Sequence, residues 1–300
     1  IAGYFCKDQA KDDRIKRTLK LMRNRGPDNQ DFRLFHTVGK ERHVGLLHAR
    51  LSIIDLEPRS NQPYTIGNQT IIFNGEIYNY LELRDNLHKR GIVLNTSSDT
   101  EILLHYFRIY GEKCVEFFEG MWAFAVYDSE NETLFLSRDR FAEKPLYYYQ
   151  DENGVYFGSE IKFLKCLSGK SFSVNYRHLR RHIAHGYKAL YKSEETYFED
   201  IRELKYAENL LITSSGRKAH QRYWTPRSKI DDNMSLADAI EGTKEALLNS
   251  VKIRLRADVP LAFCLSGGVD SASIASMAAK EYGAKVTTFS IIDSDERYNE

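Results

Sequence analysis

Phe73-Asn74-Gly75-Glu76-Ile77-Tyr78-Asn79 is the stretch on which the reading of this chain turns. Asn-Gly at the end of an apolar run, Thr70 to Phe73, is a common hairpin signature. A hairpin needs a return strand, yet Tyr80, Leu83 and Leu87 follow at helical spacing. The other reading is chemical. An Asn carboxamide beside the exposed N–H of a glycine aims two donors at one point, which is what a tetrahedral oxyanion requires.

Outward from this stretch, apolar periodicity predicts helices over Asp12 to about Arg25, over Tyr80 to Leu87, and over a third segment carrying Ile102, Leu103, Tyr106, Phe107 and Tyr110 that stops at Gly111. Strands are expected at His43 to Ile54 and Thr70 to Phe73. Two hairpins follow, Trp122 to Tyr127 with Thr133 to Ser137, and Leu210 to Thr213 with Lys218 to Tyr223. Strands grouped with strands imply layered α+β packing. Residues 226–234 are polar and read as a linker, dividing domains at 1–225 and 235–300. Ser235 with Asp238 forms a capping-box start for a long helix with Leu236, Ile240, Leu247 and Val251 on its apolar face. The order then changes to strand (Val259 to Leu265), glycine turn, helix (Ser271 to Tyr282), strand (Lys285 to Ile292), a parallel α/β unit.

Composition narrows the chemistry. The 43 basic and 42 acidic residues among 300 leave a net charge of +1 with no long single-sign run, which disfavours nucleic-acid and membrane partners. Cys6, Cys114, Cys166 and Cys264 form no C-x-x-C pair, so neither a zinc cage nor a disulfide framework is indicated and a cytoplasmic setting is expected. No apolar run approaches the roughly 18 residues that span a bilayer. Both ends read as cut, Ile1 entering directly on a strand-like run and Arg297-Tyr298-Asn299-Glu300 stopping inside a new unit.

Arg50 ends an otherwise apolar strand, His48-Ala49-Arg50-Leu51-Ser52-Ile53-Ile54-Asp55. A guanidinium there either snorkels at a sheet edge or grips a small carboxylate. Asp99, in Ser97-Ser98-Asp99-Thr100-Glu101, is either a helix N-cap or an anion for an ammonium group. Arg50 for a carboxylate, Asp99 for an ammonium, and Asn74 with Gly75 for an amide carbonyl together describe a glutamine-shaped site.

Leu265-Ser266-Gly267-Gly268-Val269-Asp270-Ser271 joins a strand to a helix, where backbone N–H groups and the helix dipole favour anions. It is neither G-x-x-x-x-G-K-[ST] nor G-x-G-x-x-G, which disfavours phosphoryl-transfer ATPase chemistry and dinucleotide binding. A turn used only for tight packing is the bland alternative. S-G-G-x-D-S resembles the pyrophosphate loop of ATP pyrophosphatases, enzymes that make acyl-adenylates. That resemblance implies ATP contacts at Leu265, Ser266, Gly267, Gly268, Asp270, Ser271 and Ile291, with Asp270 beside pyrophosphate and its Mg2+.

A wider resemblance covers nearly the whole front region. Arg25-Gly26-Pro27-Asp28, Arg50-Leu51-Ser52-Ile53, Asn74-Gly75-Glu76-Ile77-Tyr78-Asn79, Ser98-Asp99-Thr100-Glu101, Gly120-Met121-Trp122-Ala123-Phe124-Ala125, Arg138-Asp139-Arg140-Phe141, Lys144-Pro145-Leu146-Tyr147-Tyr148 and Ser159-Glu160-Ile161-Lys162 occur in order. As a set they resemble the class II, N-terminal-nucleophile glutaminase domain of glutamine-hydrolysing asparagine synthetases.

The resemblance implies an α+β four-layer αββα sandwich followed by an α/β parallel-sheet nucleotide-binding domain, incomplete at its C-terminal end. It implies glutamine binding by Arg50, Leu51, Ser52, Ile53, Ile54, Asn74, Gly75, Glu76 and Asp99, with Asn74 and Gly75 as oxyanion hole. Glutamine, ATP and aspartate are the implied substrates, ATP and Mg2+ the cofactors, and a homodimer is compatible with it. Members begin Met-Cys-Gly-Ile-x-Gly, so the nucleophilic Cys is expected two residues upstream of Ile1. Cys6 is internal in an apolar strand and reads as a buried thiol. Ala142 stands where the family usually has Gly before Lys144-Pro145, a departure that touches turn geometry. Relatives that adenylate without glutaminase (β-lactam synthetases, peptide-cyclising enzymes), amidation of surface-sugar or antibiotic intermediates, and a regulatory binding module are the rival readings.

Overall fold

The computed structural model describes residues 1–38, 42–187, 190, 193–292 and 295. They fall into two compact units, 1–226 and 227–300. The terminal stretch Arg297 to Glu300 lies outside the described residues.

In the first unit, alternation along the strands decides the layers. One antiparallel sheet has the order β10-β8-β9-β1-β3-β2, built from β1 (Ala2–Cys6), β2 (Asn29–His36), β3 (His43–Arg50), β8 (Tyr147–Gln150), β9 (Gly154–Gly158) and β10 (Ile201–Glu203). The other has the order β12-β11-β7-β6-β5-β4, from β4 (Tyr64–Ile66), β5 (Gln69–Ile77), β6 (Gly120–Asp128), β7 (Thr133–Arg138), β11 (Glu208–Thr213) and β12 (Lys218–Arg222). Because side chains alternate in direction, β6 sends Ala123, Ala125 and Tyr127 into a core shared with Phe5, Val44, Leu46 and Phe157 of the first sheet. Its Trp122, Phe124 and Val126 enter a different core, under α2 (Tyr80–Lys89) and α3 (Asp99–Tyr110). A third core packs Ala2, Tyr4 and Cys6 against α1 (Asp12–Met22) and α4 (Ile161–Ser168). Three apolar layers between four of secondary structure make the αββα sandwich. Cys6 is sealed in that third core, and burial pushes its thiol up to about 12.

Several sequence expectations move. The strand from His43 ends at Arg50 rather than Ile54, because the following backbone turns, with Asp55 at φ 52°, and its carbonyls fold onto the Arg50 side chain. The strand from Thr70 runs on through Asn74-Gly75 to Ile77, so Asn-Gly is neither a hairpin turn nor a strand end. Helix α1 stops at Met22, short of Arg25. The hairpin β8–β9 around Asp151 to Asn153 and the helix α5 (Tyr176–His185), capped by Asn175 Oδ1 on the His178 N–H, were not expected from periodicity.

The second unit contains α6 (Leu236–Arg254), β13 (Ala262–Cys264), α7 (Val269–Tyr282) and β14 (Thr287–Phe289), with β13 and β14 parallel. Ser235 caps α6 with Asp238 in a capping box. Val251 and Ile253 of α6 are buried, but Leu236, Ile240 and Leu247 are exposed.

Candidate active site

Strand β5 is the spine of the site. Its even-numbered residues pair toward β6, as in Glu76 opposite Met121 and Asn74 opposite Ala123. Its odd-numbered residues turn their backbone groups the other way, toward β4, but β4 pairs only as far as Ile71. Side chains take over beyond it. Gln62 Oε1 accepts the Phe73 N–H at 2.6 Å, and Asp99 Oδ2 accepts the Ile77 N–H at 3.0 Å. Backbone direction alternates along a strand, so the Gly75 N–H points to this same edge, midway between two N–H groups that are already taken.

Gly75 has no room for a side chain: a Cβ would stand 2.0 Å from the Met121 carbonyl oxygen. Asn74 shares the inter-sheet face with Ile72, and its Nδ2 donates to Ser159 Oγ at 3.3 Å. The Ile1 nitrogen reaches the same Oγ, also at 3.3 Å. A cavity of about 170 Å3 opens here, and its wall includes Ile1, His48, Arg50, Leu51, Ile53, Ile54, Gln62, Asn74, Gly75, Glu76, Asp99 and Lys144. Of the residues expected around glutamine, only Ser52 is missing from this wall; its N–H is held by Asp28 Oδ2 at 2.7 Å.

Arg50 is buried, and desolvation lowers its pKa against the opposing pull of Asp55, Asp28 and Asp99. Both terminal nitrogens already donate inward, Nη1 to the Glu57 carbonyl (3.0 Å) and Asn61 Oδ1 (2.8 Å), Nη2 to the carbonyls of Ile54 and Asp55. It therefore shapes the 54–61 loop as well as lining the cavity, and snorkelling at a sheet edge does not describe it. Asp99 is not the helix cap; Ser98 is, accepting from the Thr100 N–H. Burial, then the neighbouring Glu76 charge, pushes the Asp99 carboxyl up to about 6. Burial raises Glu76 as well, with Lys144 pulling the other way.

His48 and Gln62 escaped the sequence reading. His48 rises from β3 into the inter-sheet layer, and its Nε2 meets the Phe73 carbonyl at 3.0 Å. A carbonyl can only accept, so Nε2 carries the proton and Nδ1 is left as a bare acceptor. Nδ1 has almost no accessible surface and makes no hydrogen bond to a described protein atom. Burial lowers the imidazole pKa to about 3, so the ring is neutral at physiological pH.

The loop after the cavity is tied by Asp139, whose carboxylate accepts from the N–H groups of Phe141, Glu143, Lys144 and Trp122 at 3.0 to 3.2 Å. Ala142 sits in this turn at φ 57°, the left-handed conformation that glycine adopts without strain.

The sequence matches the family model described as glutamine amidotransferase domain over residues 1–224. The chain belongs to the glutamine amidotransferase family. Residues 242–300 match the model described as asparagine synthase. A putative glutamine-hydrolysing asparagine synthetase of Methanocaldococcus jannaschii is 32% identical over 96% of this chain and 58% of its own length. Asparagine synthetase 1 of Bacillus subtilis is 34% identical over 92% of this chain and 42% of its own. The chain thus spans about half the length of the curated relatives it matches. Among solved structures, the glutamine phosphoribosylpyrophosphate amidotransferase of B. subtilis aligns with a TM-score of 0.54 at 14% identity, covering 100% of this chain and 68% of that one. At that identity the likeness speaks for the fold.

In the second unit, the turn before α7 places Gly267 at φ 75° and gathers polar groups. Ser266 N–H and Ser266 Oγ lie 3.2 and 3.1 Å from Ser271 Oγ, and the Gly268 N–H lies 3.4 Å from Ser266 Oγ. Asp270 stands in the first turn of α7. Leu265, at the end of β13, is tied to β14 by its N–H on the Phe289 carbonyl (2.8 Å) and by Ser290 Oγ on its own carbonyl (2.7 Å), with exposed Ile291 next in sequence. Among the described residues no group of three or more His, Cys, Asp or Glu could hold a metal ion, and no helix is long and apolar enough to cross a membrane.

Proposed function

We propose that this chain is the front half of a glutamine-dependent amidotransferase of asparagine-synthetase type. The observation that carries the reading is the convergence of Arg50, Asn74, Gly75 and Asp99 on one 170 Å3 cavity. A cationic side chain, a carboxylate and an edge-facing N–H match the carboxylate, ammonium and amide carbonyl of glutamine. A thiol two residues upstream of Ile1 attacks the amide carbon, and the oxyanion is held by Asn74 Nδ2 and the Gly75 N–H. Ammonia leaves, and water hydrolyses the thioester to glutamate.

In the second unit, the Ser266 to Ser271 turn suits a pyrophosphate: it joins a left-handed Gly267, N–H groups at a helix start and the paired hydroxyls of exposed Ser266 and half-buried Ser271. ATP would be held there, with Leu265 and Ile291 toward adenine. Mg2+, when bound, neutralises phosphate charge; with only Asp270 near, it takes most of its ligands from phosphates and water. Adenylation of the aspartate side-chain carboxylate releases pyrophosphate, and ammonia then displaces AMP to give asparagine. A second reading is a related amidotransferase that acts on another carboxylate.

The test uses the full-length protein with glutamine labelled at its amide nitrogen, ATP, Mg2+ and aspartate. Label is expected in asparagine. Glutamate release with no label in asparagine would transfer the assignment to another acceptor, and no glutamate release would refute the glutaminase.

A further inference from the structure

Beyond Ile71 the open edge of β5 is held by two side chains, and both lead to the start of α3. Asp99 Oδ2 takes the Ile77 N–H at 3.0 Å, and Gln62 Oε1 takes the Phe73 N–H at 2.6 Å. An N–H can only donate, so Oε1 is the atom that faces Phe73 and Nε2 is turned to the other side. There Nε2 donates to Thr100 Oγ1 at 3.0 Å, on the residue after Asp99. Gln62 and Thr100 are both buried, and hydrogen bonds are stronger in such surroundings than in water. The preceding residue, Asn61, accepts from Arg50 Nη1 at 2.8 Å. Two adjacent side chains thus join the groups read above as holding the carboxylate, the ammonium and the oxyanion of glutamine.

We propose that Gln62 is the positioning residue of the oxyanion site, a strut between Phe73 and Thr100 that sets how the Asn74 and Gly75 donors stand relative to Asp99. The inference rests on the glutaminase reading above and adds to it the part that fixes its geometry. The Gly75 N–H lies on the same strand edge as those of Phe73 and Ile77, midway between them, so its direction follows from the two anchors. Asn74 is the peptide neighbour of Phe73, and a shift at Phe73 therefore re-aims both donors together. Gln62 acts through the backbone of β5 and not on the reacting atoms. Its loss is felt in the transition state, where the donors meet the oxyanion, more than in bound glutamine, whose carboxylate and ammonium rest on Arg50 and Asp99.

The experiment measures glutamine hydrolysis and glutamate inhibition with the full-length protein, in wild type, Gln62→Met, Thr100→Val and the double variant, with thermal melts checking that each is folded. Gln62→Met, close to glutamine in volume, should lower kcat about tenfold to a hundredfold, as misplacement of groups at a reacting centre does. Glutamine KM and the glutamate inhibition constant should each change by less than about threefold, since ground-state binding is kept. Thr100→Val should act in the same direction by a smaller factor. The double variant should match Gln62→Met, because both substitutions break one strut and their effects do not add. A folded Gln62→Met with wild-type kcat overturns the proposal, as does a loss confined to KM or full additivity in the double variant. If Gln62→Met fails to fold, wild-type kcat in Thr100→Val overturns it. Wild-type protein that does not hydrolyse glutamine at all refutes the glutaminase reading instead.

Discussion

Asp99 Oδ2 accepts the backbone N–H of Ile77 at 3.0 Å, so the carboxylate that faces the cavity also finishes the hydrogen bonding of β5. Both duties favour the ionised carboxylate, and its surroundings oppose them. Burial, then the Glu76 charge, holds the carboxyl at about 6, while recognition of an ammonium needs the ionised form.

The sign of the pH response follows. The folded pKa lies above the unfolded 3.8, so the folded state binds the extra proton between those values, and stability is lost as pH rises through about 6. Asp99→Asn keeps an acceptor for Ile77 and removes the buried charge. It should raise the melting temperature at pH 7.5, at about 2–4 °C per kcal/mol for a unit of this size, while raising the glutamine KM. In wild type, glutamine affinity should fall below pH 6, by about tenfold per unit once well below the pKa. A pH-independent KM between 5 and 8 would contradict the assignment of Asp99 to the ammonium.

Asn74→Ala removes one of two oxyanion donors, and glutaminase kcat should drop by about 10²–10³ with little change in the melting temperature. Gly75→Ala behaves differently. Its Cβ meets the Met121 carbonyl at 2.0 Å, so overpacking should cost about 1–3 kcal/mol of stability along with activity. Denaturant midpoints for the pair separate the two mechanisms; equal destabilisation by both would count against the reading of Asn74.

Ala142→Gly relieves a non-glycine residue at φ 57°, a conformation that costs roughly 1–2 kcal/mol against the roughly 0.5–1 kcal/mol entropic cost of glycine. The variant should melt at an equal or slightly higher temperature. A clear decrease would mean that the Cβ makes a contact worth more than the strain.

Asp270→Asn should reduce ATP–pyrophosphate exchange by the full-length protein at least about tenfold and leave glutamine hydrolysis in place. Normal exchange in that variant would remove the turn before α7 from the nucleotide site.

Layered packing was legible because strands are grouped with strands along the chain, as Trp122 to Tyr127 and Thr133 to Ser137 are, and the four-layer order was an expectation from the family resemblance. Arg50, Asn74, Gly75 and Asp99 were legible as chemical types out of place in apolar or turn contexts, and the fold gathers them on one cavity. His48 and Gln62 were not. A histidine inside an apolar run carries no local mark, and its role appears only when β3 and β5, from different sheets, face each other across the inter-sheet core. The end of β3 was misread for a related reason: Ile53 and Ile54 look strand-like, but the guanidinium of Arg50 and the left-handed Asp55 turn the chain away. The α6 stripe shows that periodicity predicts a face and not what covers it, since Leu236, Ile240 and Leu247 stay exposed.

Past Ile71, no strand among the described residues flanks β5 on one side, and His48, Gln62 and Asp99 occupy that side in its place. A bare strand edge is a template on which a strand from another molecule can add. The side chains around the cavity thus also guard against aggregation, and substitutions that strip them should lower the yield of dispersed protein during expression before any assay is run.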